Sequence, residues 1–335
     1  MRHFYSPIQA RHAPRQELHN GGFTAYAESP ARIEAVLAAI GATELPEDRG
    51  EAPIARVHDA GYLDFLKAAP DLWREAGRPG DAIPYAFPVV GRRPLTLTRI
   101  DALLGQYAFD ATTPLTPDSW DAAYWSSQAT LAATHAVLEG EARAAFALCR
   151  PPGHHAGADY CGGYCHLNHA AVAAQAARDA GVARVAILDI DYHHGNGTQD
   201  IFWTRGDVFY ASVHADPATD YPFYWGHADE RGAGEGEGAT LNLPLARGTR
   251  IEAFRAAQGR ALEAIAAFAP GALIVSFGAD TWAGDPISSF RLETPDYATL
   301  ARDIAECGWP TAILMEGGYA VAELGHNVAS FLNGF

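Results

Sequence analysis

The chain has 335 residues, 48% of them hydrophobic, and a formal net charge of −16, which allows a large buried core and fits an α/β chain of one domain, 1–335, as well as two. The negative field repels phosphate backbones and concentrates cations, so nucleic acid is not expected as a partner and a small cationic amine is. The opening residues MRHFYSPIQARHAPR lack an apolar signal segment, and four cysteines (Cys149, Cys161, Cys165, Cys307) in so long a chain suit a reducing compartment, so a cytoplasmic location is expected.

In chain order, helical spacing appears first over Ser29–Ile40, where Ser29-Pro30 reads as a start with a capping hydroxyl and proline at the first helical position. Residues 71–117 break the pattern with Pro79-Gly80, Pro84, Pro88, Pro94, Pro114 and Pro117 around Tyr85 and Phe87, and read as a loop insertion with a packing or interface role. A helix follows over Asp118–Glu139, then an apolar strand over Ala144–Leu148, a helix over His169–Ala180, and strands over Arg184–Ile190 and Val208–Val213. Gly234-Glu-Gly236-Glu-Gly238 superficially matches a dinucleotide fingerprint, but the strand-like Thr240–Leu243 comes after it where a helix would be needed. Thr249-Arg250 reads as a capped start for the helix Ile251–Phe268; the apolar run Ala261 to Phe277 is broken by Glu263, Pro270 and Gly271 and divides into helix, turn and the strand Ala272–Phe277, not a membrane span. Pro295–Cys307 and Thr311–Met315 complete the alternation. Strands this uniformly apolar are covered on both faces, so the fold expected is a doubly wound, mainly parallel α/β sheet with helices on both sides.

The segments at the carboxyl ends of the strands carry the chemistry. The five ends deliver Arg150-Pro-Pro-Gly-His154-His155, Asp191-Tyr-His193-His194-Gly-Asn196, Ser212-Val-His214, Gly278-Ala-Asp280 and Glu316-Gly-Gly-Tyr319. In an open parallel sheet ligands bind beyond the carboxyl ends of the strands, so all five segments share one rim. Asp191 and His193, two apart at a strand end, point to one side. Joined by Asp280 they make a three-ligand site with an open position, as catalytic zinc requires.

In this order and spacing, RPPGHHAG, GGYC, ILDIDYHHGNGTQ, GAD and MEGGY resemble the histone deacetylase superfamily, and CRPPGHHAG, DVFYASVHADPA, DPIS and TPDY resemble its bacterial acetylpolyamine amidohydrolases. The resemblance runs over nearly the whole chain. It implies the arginase–deacetylase fold and one Zn²⁺ per subunit on Asp191, His193 and Asp280, with Fe²⁺ as a conceivable substitute. It implies His155 as general base, His154 paired with Asp189 in an electrostatic or proton-transfer role, Asn196 as the partner of the second histidine, and Tyr319 as donor to the substrate carbonyl. Tyr164 and Tyr221 would wall the acyl tunnel, the Gly163 carbonyl would receive the scissile N–H, and Thr112 stands where the polyamine-selecting relative has a glutamate. Asp110 and Asp118 are neighbouring acids that would take over that role. A structural K⁺ would use backbone oxygens of Asp189, Asp191, His193 and Val213 with the Ser212 hydroxyl. The insertion with Gly21-Gly22-Phe23 would form a homodimer contact narrowing the site entrance. His166 and His169 depart from the family pattern, where an aromatic and an asparagine are usual.

The function implied is removal of acetyl or other small acyl groups from amines, acetylpolyamines first and protein acetyl-lysine as the alternative. Chemically, zinc lowers the pKa of water from about 15.7 toward about 7 and polarises the carbonyl, a histidine shuttles the proton, and a tyrosine donor stabilises the oxyanion. Two other readings compete. A binuclear manganese ureohydrolase would need a second aspartate where Trp282 stands, and a non-catalytic acyl-binding module would not need the full set of His154, His155, Tyr319 and three ligands. Cys161 and Cys165 read as a reduced structural pair in the site floor, and His194 and His214 as hydrogen-bonded supports.

Overall fold

The computed structural model describes residues 1–89 and 95–335. Pro94 and the rest of 90–94, within the expected insertion, lie outside the described residues. The strands are β1 (Arg2–Phe4), β2 (Gln16–His19), β3 (Gly22–Ala25), β4 (Ala144–Ala147), β5 (Val185–Asp189), β6 (Val208–Ala215), β7 (Thr240–Leu245), β8 (Ala272–Phe277) and β9 (Thr311–Met315). The helices are α1 (Ala31–Ile40), α2 (Ala52–Ala55), α3 (Ala60–Glu75), α4 (Ile100–Gln106), α5 (Ser119–Leu138), α6 (His169–Asp179), α7 (Asn196–Phe202), α8 (Ile251–Phe268), α9 (Thr294–Glu306) and α10 (Val321–Leu332). Seven strands form one parallel sheet in the order β1-β4-β9-β8-β5-β6-β7, and β2 and β3 form a separate antiparallel hairpin. This is the expected doubly wound α/β arrangement.

Each strand buries both faces, and the period of two divides its side chains between two cores. Phe146, Leu188, Val275, Phe277, Ile313 and Met315 face α1, α8, α9 and α10. Ala145, Ala147, Ile187, Ile274 and Leu314 face α5 and α6. That second face is built largely from alanines, including Ala129 and Ala133 of α5 and Ala170 and Ala174 of α6. Small side chains on both layers let helix and sheet approach closely. The strand register then sets the site: Asp189 lies level with Ser212 on β6 and Ser276 on β8, and Phe277 level with Met315. The loops after β5, β8 and β9 therefore leave the sheet side by side.

Three expectations need correction. Neither hydroxyl caps its helix: Pro30 itself holds the cap position of α1, and the Thr249 hydroxyl donates to the Ala246 carbonyl (2.7 Å) in the preceding turn, leaving Arg250 at the start of α8 without a side-chain cap. The region 71–117 is not all loop, because α3 runs into it, α4 lies within it, and Ala82 and Leu115 exchange backbone hydrogen bonds (3.0 Å). Its Tyr85 is largely exposed (68%), while Phe87 is partly covered (41% exposed). Finally, β6 runs two residues beyond the expected Val213 to Ala215, so His214 sits inside the strand and not after it.

The apolar face under α10 gives a stability test. Phe331 is fully buried and stacks on Phe277 at 3.9 Å between ring centroids. Phe331→Ala is expected to cost about 3–5 kcal/mol in urea unfolding; a loss below about 1 kcal/mol would contradict this packing.

Candidate active site

Asp191 and His193 lie past the end of β5, not on it, in a loop tied down at both sides. The Ile190 N–H donates to the Ser276 carbonyl (2.9 Å), the Ala279 N–H to the Gly317 carbonyl (3.0 Å), and the Glu316 N–H to the Phe277 carbonyl (2.8 Å). These bonds join the three loops that carry Asp191, Asp280 and Tyr319. Asp191 accepts the N–H groups of His193 (2.8 Å) and Gly317 (2.8 Å), and Asp280 accepts that of Tyr192 (3.0 Å). The His193 Nδ1 lies 3.3 Å from Asp191 and 3.1 Å from Asp280, and one donor atom from each of the three residues lies within 4.8 Å of the others.

The electrostatics of this trio point to a cation. Asp191 and Asp280 are fully buried, and their ion-pair partners among the described residues are histidines only. Burial, reinforced by the Asp191 charge, pushes Asp280 up to about 7. Burial opposes the charge of Asp191 too, but His154 and His193 outweigh it and hold its pKa below the usual carboxylate range. Burial likewise disfavours charge on His193, yet the two carboxylates raise it to about 9. The surrounding backbone packs closely on both acids: a Cβ on Gly278 would stand 2.0 Å from an Asp191 oxygen, and one on Gly317 2.4 Å from an Asp280 oxygen. Two oxygen donors and one imidazole, already converged and desolvated, fit a divalent ion.

The tandem histidines sit beside the trio in opposite environments. His154 donates Nδ1–H to Asp189 (3.0 Å); burial opposes its charge, but Asp189, Asp191 and Glu316 raise its pKa to about 10. His155 donates Nδ1–H to Asn196 Oδ1 (2.7 Å), and burial together with the charges of His154 and His193 holds it well below its ordinary value. One ring is kept cationic and its neighbour, 4.0 Å away between centroids, is kept neutral with Nε2 free to accept a proton.

A cavity of about 580 Å³ opens over these groups, and His155, His193, Gly163, Tyr164, Tyr221, Thr112 and Tyr319 all line it. Asp189 and Asn196 stand behind the histidines they orient. Tyr319 is 8% exposed and packs against Tyr164 (5.4 Å); burial keeps its phenol protonated far above pH 10. Its approach depends on Gly318, whose φ of 121° suits glycine alone. Asp118 is not among the residues lining this cavity. Ser212 is level with Asp189, and its hydroxyl contacts His214 Nδ1 at 2.8 Å. His214 bonds the Gly226 carbonyl and His194 bonds Asn242, so both are hydrogen-bonded. All four cysteines are free thiols. A larger groove, about 1030 Å³, lies at the amino-terminal ends of β1, β4 and β9 near Arg2, Arg143 and Trp309 and contains none of these groups.

Several supporting residues have no role assigned by the sequence motifs, although Glu316 and Asp285 lie within MEGGY and DPIS. Glu316 accepts the N–H groups of Gly153 (2.7 Å) and His154 (3.1 Å) and the Ser276 hydroxyl (3.0 Å); its place just before the Gly-Gly turn was the available signal. Asp285 accepts the backbone N–H groups of Tyr319 and Ala320 (2.6 and 3.1 Å). The buried Arg32 donates to the carbonyls of Glu316 and Gly318 and lies 4.9 Å from the Tyr319 ring. Glu17, brought in by the β2–β3 hairpin, accepts the Tyr164 hydroxyl (3.1 Å), and burial pushes it up to about 7. No local pattern marks Arg32 or Glu17.

Residues 26–335 match the histone deacetylase domain family. The chain is 48% identical to acetylpolyamine amidohydrolase 1 of Pseudomonas aeruginosa over 99% of this chain and 97% of that one. It is 46% identical to the acetylpolyamine amidohydrolase of Mycoplana ramosa over 100% and 99%. The crystal structure of an acetylpolyamine aminohydrolase from Burkholderia pseudomallei superposes with a TM-score of 0.94 at 42% identity, covering 100% of this chain and 98% of that one. The chain is thus a member of the histone deacetylase family and a metal-dependent deacetylase.

Proposed function

We propose that this enzyme is a zinc-dependent amidohydrolase that removes acetyl or another small acyl group from amines, with acetylpolyamines and related small cationic amines as substrates. The observation that carries the reading is the unlike pairing of the tandem histidines, His154 on the Asp189 carboxylate (3.0 Å) and His155 on the neutral Asn196 amide (2.7 Å), beside a buried Asp191–His193–Asp280 trio. The names of the similar proteins support the substrate class, and the charge of −16 favours cations.

Asp191, His193 and Asp280 would hold the ion, which supplies Lewis acidity for a water molecule and for the amide carbonyl; Fe²⁺ would suit the same donors. His155, with Nδ1 committed to Asn196, takes the proton of the attacking water at Nε2 and delivers it to the departing amine. His154 keeps its charge on Asp189 and offsets the carboxylates around it. Tyr319 donates its phenol to the carbonyl oxygen as negative charge develops there. The Gly163 carbonyl accepts the scissile N–H, Tyr164 and Tyr221 flank the acyl chain, and Thr112 makes the substrate-selecting position neutral. Backbone oxygens of Asp189, Asp191, His193 and Val213, with the Ser212 hydroxyl, would hold K⁺. Residues 1–335 act as one domain and work in the cytoplasm. The exposed Phe23, Tyr85 and Phe87 belong to a homodimer contact near the cavity mouth. No helix among the described residues is long and apolar enough to cross a membrane.

Turnover of acetylputrescine, acetylcadaverine, acetylspermidine and acetyl-lysine peptides tests the reading directly. Preferred hydrolysis of the small acetylated amines is expected; preference for the peptides would favour a protein deacetylase, and turnover of none would overturn the assignment. Asp280→Ala is expected to lose bound zinc and all activity, and stoichiometric zinc at wild-type affinity in that variant would remove Asp280 from the ligand set. Tyr319→Phe is expected to keep its metal and lose about 10²–10³ in kcat. A kcat within a few-fold of wild type would show that the phenol is not the oxyanion donor.

A further inference from the structure

We propose that Asp110 is a positioning residue of this site: its carboxylate joins the two walls of the cavity, the Gly163–Tyr164 turn and Tyr221, and so fixes where an amide lies relative to His155. The proposal rests on the amidohydrolase reading above. One oxygen, Oδ2, accepts three hydrogen bonds, from the Gly163 N–H (2.9 Å), the Tyr221 hydroxyl (2.8 Å) and the Thr112 hydroxyl (2.8 Å). The other, Oδ1, accepts the Thr112 N–H (3.1 Å). The Gly163 turn leaves β4 and leads to α6, whereas Tyr221 comes after β6, and β4 and β6 are not neighbours in the sheet. The two walls therefore have no strand pairing to align them, and Asp110 supplies a direct link.

Its chain neighbours lock the same parts. The Thr113 hydroxyl accepts the Tyr164 N–H (2.8 Å), so both amides of the turn are held from the 110–113 segment. That turn needs holding, because Tyr164, a residue with a side chain, is left-handed at φ 67°. Phe109 lies nearly parallel to Tyr221 at 5.8 Å and stands 6.4 Å from the His155 ring. Its N–H donates to the Cys161 carbonyl (3.0 Å), binding it to the stretch of chain that enters the turn. There is no slack between these groups: a Cβ on Gly162 would fall 2.0 Å from the Phe109 ring, and one on Gly163 2.2 Å from the His155 ring. A shift of Asp110 is thus passed to Tyr221 and to the Gly163 carbonyl together.

Among the described residues, all the hydrogen-bond donors on Asp110 are uncharged, while Arg247, on the same cavity, pairs with Asp220 (3.3 Å). A carboxylate spent on neutral wall groups fits alignment, and recognition of a substrate cation is the competing role. Kinetics on a monoacetylated pentanediamine and on its uncharged N-pentyl acetamide analogue separate the two. Asp110→Ala should lower kcat/KM about 30- to 100-fold on both amides, with metal content unchanged, as expected when bound geometry is lost. Asp110→Asn, which keeps an oxygen acceptor, should recover to within about fivefold of wild type. Tyr221→Phe should cost activity alone but add nothing in the Asp110→Ala background, because the two share one interaction. An active wild type with an unaffected Asp110→Ala, a loss confined to the cationic amide, or penalties that multiply in the double variant would each overturn the positioning role. If Asp110→Ala does not fold, the same cycle is read from Asp110→Leu, which fills the space without an acceptor, and Tyr221→Phe, with multiplying penalties again overturning it. A wild type inactive on both amides and on every acetylated polyamine would overturn the hydrolase reading and this proposal with it.

Discussion

Two carboxylates, Asp191 and Asp280, are buried completely within reach of one imidazole, and the rest of the site is organised around that concentration of charge. Removing a carboxylate from water is costly unless it is paired or coordinated. Backbone N–H groups from His193, Gly317 and Tyr192 orient both acids without neutralising them. The glycines at 278 and 317 bring the chain in close enough to do so. On the reading proposed above a cation would complete the arrangement, and the parallel register of β5 and β8 brings its three donors together from two loops.

The same field divides the labour of the neighbouring histidines. His154 looks toward Asp189 and Asp191 and has Glu316 behind its backbone, so its charge is favoured. His155 sees the cationic His154, the neutral amide of Asn196 and the aromatic rings of Phe109 and Tyr221, so its charge is disfavoured. Adjacent residues of one type thereby acquire opposite proton affinities, which on the reading proposed above suits His155 to proton transfer and His154 to a fixed charge.

Much of this was legible in the sequence because the fold obeys local rules. Apolar strands alternate with alanine-rich helices, and the polar segments after Ile190, Phe277 and Met315 must share a rim once the sheet is parallel. The rules failed where a tertiary contact replaced a local one. Thr249 looked like a cap, yet its hydroxyl serves the turn before the helix. The 71–117 segment looked like loop because prolines hid α4 and the Ala82–Leu115 pairing. Glu17, Arg32 and Asp110 gained their places from contacts with residues tens to hundreds of positions away. Such contacts leave no periodic trace in the chain.

Titration of chelator-stripped enzyme with zinc, read out as amide hydrolysis, tests most directly whether the buried trio holds the one ion that catalysis needs. Activity is predicted to rise linearly to one equivalent per chain and then stop, since one trio of ligands serves one ion. A break at two equivalents, or full activity in the stripped enzyme, would contradict it.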